Sequence, residues 1–201
     1  VAEPQRDTSH PGFREGRDAL LDATLRVVAR DGFDGLTYRA VAKEAGTTHG
    51  LVSYHFGSRE ALVHEAAAKA SRQAVDGAAL MPEGAAPEDF VRDLSASVER
   101  DLHTHLFQYE MALQSRRRPD LGREIAALYE EYFDITRQAL RRMGIAEATP
   151  ALARFVFAAI DGIVLQHVVR ADPQRTDEAV AVLHGFLRGL IGAPEPPLTF
   201  G

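Results

Sequence analysis

The chain has 201 residues, 45% of them hydrophobic and 26% charged, which is enough for a buried core in one large domain or two smaller ones. It contains no cysteine, so disulfides, thiolate metal sites and cysteine nucleophiles are excluded. The formal charge is −6, and residues 1–65 carry 8 Lys plus Arg against 10 Asp plus Glu, so any case for nucleic acid has to rest on geometry and local charge rather than on a basic average.

Residues 1–13 are polar, contain Pro4 and Pro11 and show no hydrophobic period; they read as a flexible arm without a signal-peptide core. From Arg14 to Arg30 the residues Leu20, Leu21, Leu25, Val27 and Val28 fall at helical spacing, and Gly32 stands where a helix end favours a left-handed residue. Phe33 is expected to pack behind that helix. Thr37 can cap a short helix over 38–45, ended by Gly46. Thr48 can cap a second over about 48–56, and Gly57-Ser58 stops it and opens a longer helix over 59–75. The stretch 76–87 reads as a linker because of Gly77, Pro82, Gly84 and Pro87. Beyond it the pattern predicts helices at about 87–102, 105–117, 120–143, 149–170 and 174–191, with no alternating strand pattern anywhere. The expected fold is therefore all-α: an arm at 1–13, a helix-turn-helix domain at 14–63, a connecting helix at 64–76, a larger helical domain at 77–193 and a tail at 194–201.

The stretch AGTTHGLVSYHF (45–56) breaks twice within a few residues. Two short helices can cross steeply if the first offers a small residue, the turn tolerates positive φ and the second returns an apolar residue to the same core. Ala42, Gly46 and Val52 meet these demands. With Val52 facing inward, Gly50, Ser53 and Tyr54 point outward and His49 lies on the flank. Gly50 permits close approach of the backbone, and the amides at the helix start suit a phosphate.

LTYRAVAKEAGTTHGLVSYHFGSREALV (36–63) resembles the DNA-binding domain of the tetracycline-repressor (TetR) family of transcriptional regulators. The resemblance covers residues 14–63 and implies an all-α regulator that contacts double-stranded DNA through Thr37, Tyr38, Arg39, Thr48, His49, Gly50, Ser53, Tyr54, His55 and Arg59, with Arg39 and Arg59 as phosphate ligands. Such modules dimerise on palindromic half-sites about 34 Å apart, so a homodimer is expected. The helix 151–170 is apolar on nearly all sides and the last helix carries its own apolar row. Phe155, Ile163, Val164 and His167, with Val180, Leu183, Phe186, Leu187 and Leu190, are the expected interface. The resemblance further implies an unknown small-molecule effector in the helical domain, with Phe90, Leu94, His103, Phe107, Tyr109, Met111, Gln114, Tyr129, Phe133, Asp161 and His167 as candidates. Asp161 is the most informative of these, because a carboxylate on so apolar a helix needs a partner from the protein or from a cationic ligand.

No enzyme motif appears. A di-metal bundle needs Glu-x-x-His, which is absent, and the rings of His103 and His105 would point apart on a helix, so neither a metal nor another cofactor is expected. The longest apolar run, Phe155 to Val169, is interrupted by Asp161, Gln166 and His167 and falls short of the roughly 20 residues a bilayer-spanning helix needs, which leaves the cytoplasm as the expected compartment. The alternative is a helical ligand-binding or protein-interaction module whose helix-turn-helix no longer touches DNA.

Overall fold

The computed structural model describes residues 11–77 and 86–191, and among them every regular element is helical. The arm to residue 10, the linker from 78 to 85 and the tail at 194–201 lie outside the described residues. The helices are α1 (Pro11–Gly35), α2 (Tyr38–Glu44), α3 (His49–Phe56), α4 (Arg59–Gly77), α5 (Leu94–Arg100), α6 (Leu102–Ser115), α7 (Pro119–Arg142), α8 (Pro150–Arg170) and α9 (Pro173–Leu190), with a single 3₁₀ turn at Pro87–Asp89. Residues 11–13, assigned from sequence to the arm, belong to α1, which is kinked where Gly32 adopts φ 68°.

The chain forms two compact units. One takes the described residues up to Arg72 together with Leu106–Glu124; the other takes Gln73–His105 and the residues from Ile125 onward. The sequence reading instead places 77–193 in one helical domain. The C-terminal part of α6 and the start of α7 join the first unit because Phe107 is fully buried there, its ring centroid 5.8 Å from that of Phe33.

In the first unit the apolar side of α1, with Leu20, Leu25, Val27 and Val28, packs with Leu36, Val41, Val52, Leu62 and Val63 into a continuous core. Each fully buried aliphatic side chain of this kind contributes about 1.5–3 kcal/mol relative to exposure. α2 is clasped to α1 from outside: Arg26 and Arg30 donate to Glu44 at 2.7 and 2.8 Å. The hydrogen bond from Arg30, then that from Arg26, holds the Glu44 carboxyl below its ordinary range. Lys69 of α4, almost fully buried, reaches Asp18 at 2.8 Å and Asp22 at 2.6 Å on α1.

The second unit is built on α8 and α9, with α5 against both. The helix expected over 87–102 is interrupted: Val91 and Asp93 adopt φ of 50° and 57°, and only Leu94–Arg100 is α-helical. A continuous helix would separate adjacent side chains by about 100°, whereas the break lets Phe90 and Val91 both bury, at 0% and 1% exposure, while His184 of α9 meets the Phe90 carbonyl at 2.7 Å. Tertiary burial outweighs the cost of positive φ at a β-branched residue.

Candidate nucleic-acid interface and ligand region

The turn between α2 and α3 follows from the residue types. Thr37 and Thr48 are extended, and their hydroxyls accept from the amides of Ala40 at 3.0 Å and Leu51 at 3.4 Å. Gly46 has φ 66°, a conformation that glycine adopts without a Cβ clash. The Thr47 amide then donates back to Ala42 at 2.8 Å. Ala42 and Val52 are both buried, so the crossing has the small residue, the permissive turn and the apolar return that it requires.

α3 therefore presents one face to solvent. Thr48, His49, Gly50, Ser53 and Tyr54 are exposed, while Val52 and Phe56 lie in the core. Thr37 and Arg39 at the start of α2 are exposed as well. A Cβ built on Gly50 would meet only the Thr48 hydroxyl, at 3.9 Å, so the glycine is not required by packing inside the chain. Leu51, 38% exposed, stands on the same outer side and was missed from sequence; its helical phase next to Gly50 was the available signal.

Three candidate contacts are placed elsewhere. His55 is buried: three residues on from Val52 it lies only about 60° around the helix from it, and its ring borders Phe56 and comes within 3.8 Å of a Cβ built on Gly16 of α1. Arg59 is not a free phosphate ligand. Its Nε donates to the Leu36 carbonyl at 3.0 Å and one terminal nitrogen to that of Phe33 at 2.6 Å, tying α4 to the end of α1. The Tyr38 hydroxyl is buried and makes no hydrogen bond among the described residues; burial, and secondarily Glu60, raises its pKa above the ordinary tyrosine value. Arg17 pairs with Glu65 and sits over the Phe56 ring at 5.1 Å.

The effector candidates are divided between the units. Phe107, Tyr109, Met111 and Gln114 lie in the first, where Phe107 and Met111 are core residues. In the second, Phe90 and Leu94 are core and His103 is exposed. Tyr129, Phe133 and Asp161 come together with Tyr132 and Phe157 at the seam of α7 and α8. The Tyr129 hydroxyl donates to Asp161 at 3.3 Å, and its ring is 5.7 Å from Phe157 and 6.1 Å from Phe133. Burial first, then the Asp161 charge, pushes the Tyr129 pKa up to about 12. Burial also lowers the pKa of His105, which senses Asp101 and Asp161 as well as His167. The Thr176 hydroxyl donates to the Asp172 carbonyl at 3.0 Å, so His167 Nδ1, 2.7 Å away, is the donor to that hydroxyl; the ring is fixed within the chain. Among the described residues no group of three or more His, Cys, Asp or Glu is placed to hold a metal ion.

α8 is long and apolar enough to span a bilayer by length and composition, more than the run Phe155 to Val169 indicated, and only a third of its most apolar window is buried within the chain. Its residues sort by phase. Val156, Phe157, Ile160, Val164 and His167 turn inward, while Ala151, Phe155, Ala158, Leu165 and Val169 are exposed, Phe155 at 60% and Val169 at 76%. On α9, Val180, Leu183 and Leu187 are buried, whereas Val182, Gly185, Phe186 and Gly189 are exposed. Val164, His167, Val180, Leu183 and Leu187 are therefore buried within the chain, Ile163 and Leu190 are half-buried, and Phe155 and Phe186 share the outer face with ring centroids 5.7 Å apart. Leu165 and Val169 of α8 and Val182 of α9 are exposed as well; an all-round apolar helix such as α8 does not reveal from sequence which stripe is covered internally.

A family model described as the tetR family of bacterial regulatory proteins matches residues 20–66, and one described as the tetracyclin repressor-like C-terminal domain matches residues 83–192. The nicotine-responsive transcriptional repressor HdnoR of Paenarthrobacter nicotinovorans is 30% identical over 183 residues, spanning 85% of this chain and 93% of that protein. Among solved structures, a TetR family member from Streptomyces coelicolor A3 is 30% identical with a TM-score of 0.63, covering 89% of this chain and 99% of its own. The multidrug binding protein EbrR, complexed with imidazole, is 28% identical with a TM-score of 0.63, covering 96% of this chain and 100% of its own.

Proposed function

Because the chain belongs to the tetR family of bacterial regulatory proteins, and is thereby a transcriptional regulator and not an enzyme, we propose that it binds a palindromic operator as a homodimer and leaves it when a small molecule occupies the helical domain. The carrying observation is the one-sided exposure of α3, with Thr48, His49, Gly50, Ser53 and Tyr54 outward over a buried Val52. Gly50 and Tyr54 meet base edges or sugar in the major groove, and Thr37, Arg39 and Thr48 meet flanking phosphates.

The apolar faces of α8 and α9 support the dimer. A stripe holding Phe155, Leu165, Val169, Val182 and Phe186, with Gly185 and Gly189 allowing close helix approach, fits a four-helix interface with its own copy. Effector control is supported by two similar proteins: HdnoR is nicotine-responsive, and the multidrug binding protein EbrR holds imidazole. α4 begins in the first unit and ends in the second, which makes it the lever of this reading. An effector shifts the equilibrium only by its differential affinity for the operator-competent and released states. Such a regulator works in the cytoplasm.

Enrichment of duplexes from a random pool tests the proposal. An inverted repeat occupied by two protomers is expected, and failure to enrich any motif would refute it.

A further inference from the structure

We infer that the effector is an organic cation, received at the seam of α7 and α8 where the Asp161 carboxylate stands beside the rings of Tyr129, Phe133 and Phe157. This rests on the reading above that the helical domain holds a small molecule, and it specifies the chemistry of that molecule. Asp161 lies on α8, a helix long and apolar enough to span a bilayer by length and composition, yet it, Tyr129 and Phe133 are all partly exposed, so carboxylate and rings are reachable. The rings gather around Phe157: Tyr132 stacks on it at 4.8 Å, while Tyr129 and Phe133 meet it edge to face at 5.7 and 5.6 Å. Aromatic faces carry negative potential, and a positive charge near them is attracted more strongly once it loses water.

The cluster already accepts a cation. The guanidinium of Arg154 lies over Phe133, 5.1 Å from the ring centroid, and bonds Glu130 at 3.1 Å. The Tyr129 hydroxyl donates to Oδ2 of Asp161 at 3.3 Å and keeps its proton at neutral pH, and burial lowers the pKa of His105, which senses the same carboxylate. An anionic ligand would meet the carboxylate and the ring faces with like charge. A protonated amine or quaternary ammonium gains from both.

The test is calorimetry of the full chain off DNA with phenyltrimethylammonium, benzylammonium, the neutral isostere benzyl alcohol, and benzoate. Both cations are expected to bind, benzyl alcohol at least about tenfold more weakly, and benzoate not at all. Asp161→Asn should weaken the cations at least about tenfold and leave benzyl alcohol unchanged, while Tyr129→Phe should keep the preference for cations. Equal binding of alcohol and cation by the unmodified chain would overturn the inference without recourse to any variant. So would unchanged cation affinity in a folded Asp161→Asn chain, no cation binding up to about 10 mM, or cation binding that leaves the operator complex intact. Operator binding measured without any probe judges the regulator reading separately: loss of that binding would refute it while the cation preference off DNA stood.

Discussion

Arg59→Ala separates a structural arginine from a phosphate ligand. In the folded chain its guanidinium makes two charge-assisted hydrogen bonds, 2.6 Å to the Phe33 carbonyl and 3.0 Å to that of Leu36, joining the first turn of α4 to the end of α1. Hydrogen bonds of this kind contribute about 1.5–3 kcal/mol each. The group is only half-buried, so the lower end applies, and Phe33 keeps a second donor in the Leu36 amide at 3.3 Å. The expected loss is about 2–3 kcal/mol, which in a chain of this size lowers Tm by about 4–12 °C. Lysine should rescue little of this, because one ammonium does not reproduce the planar fork. Differential scanning calorimetry reads the stability. Fluorescence anisotropy at several salt concentrations, taken where the variant is folded, reads the phosphate count. A lost phosphate contact would flatten the slope of log K against log salt by about 0.9, whereas the structural role leaves the slope unchanged. A variant that melts like the unmodified chain but loses that slope would refute the assignment.

Gly50→Ala should leave Tm unchanged or raise it slightly, since the new Cβ meets only Thr48 Oγ1 at 3.9 Å and alanine favours the helix by up to about 1 kcal/mol. Its operator affinity should nonetheless fall at least about tenfold if the backbone approaches DNA there, as titration by anisotropy would show. Phe155→Asp with Val182→Asp should give a folded monomer by light scattering, because both side chains are exposed, at 60% and 74%; Leu187→Ala, at 0% exposure, should instead cost about 2–5 kcal/mol in chemical denaturation. Burial lowers the His105 pKa, so below the ordinary histidine value of about 6.5 the unfolded chain binds more protons than the folded one, and stability falls as pH drops. His105→Gln should reduce that acid-side slope, by no more than about 1.4 kcal/mol per pH unit, in urea titrations between pH 7 and 5.

Much of the first unit was legible because its signals are local. Thr37, Gly46 and Thr48 act within a few residues of themselves, and the inward phase of Val52 follows from helical period alone. The burial of His55, about 60° around the helix from Val52, was legible by the same period. Arg59 was not legible, because its acceptors lie 26 and 23 residues back in the chain. The break at Val91 depends on His184, 94 residues from Phe90, and on the burial of two adjacent side chains. The face of α8 turned inward also required knowledge of its neighbours. Asp161 stood out from sequence by its polarity, whereas its ring partners could be assembled only once α7 and α8 were placed side by side.

The most direct test of the central claim is the affinity of the chain for its selected duplex, measured across salt concentrations for the unmodified protein and for Tyr54→Ala. Tyr54 is exposed on α3 and its loss should leave the fold intact. The account predicts a steep negative salt slope for the unmodified chain and a markedly weaker complex for Tyr54→Ala at unchanged Tm. Binding indifferent to salt, or unaltered by Tyr54→Ala together with Gly50→Ala, would contradict the claim that α3 reads DNA.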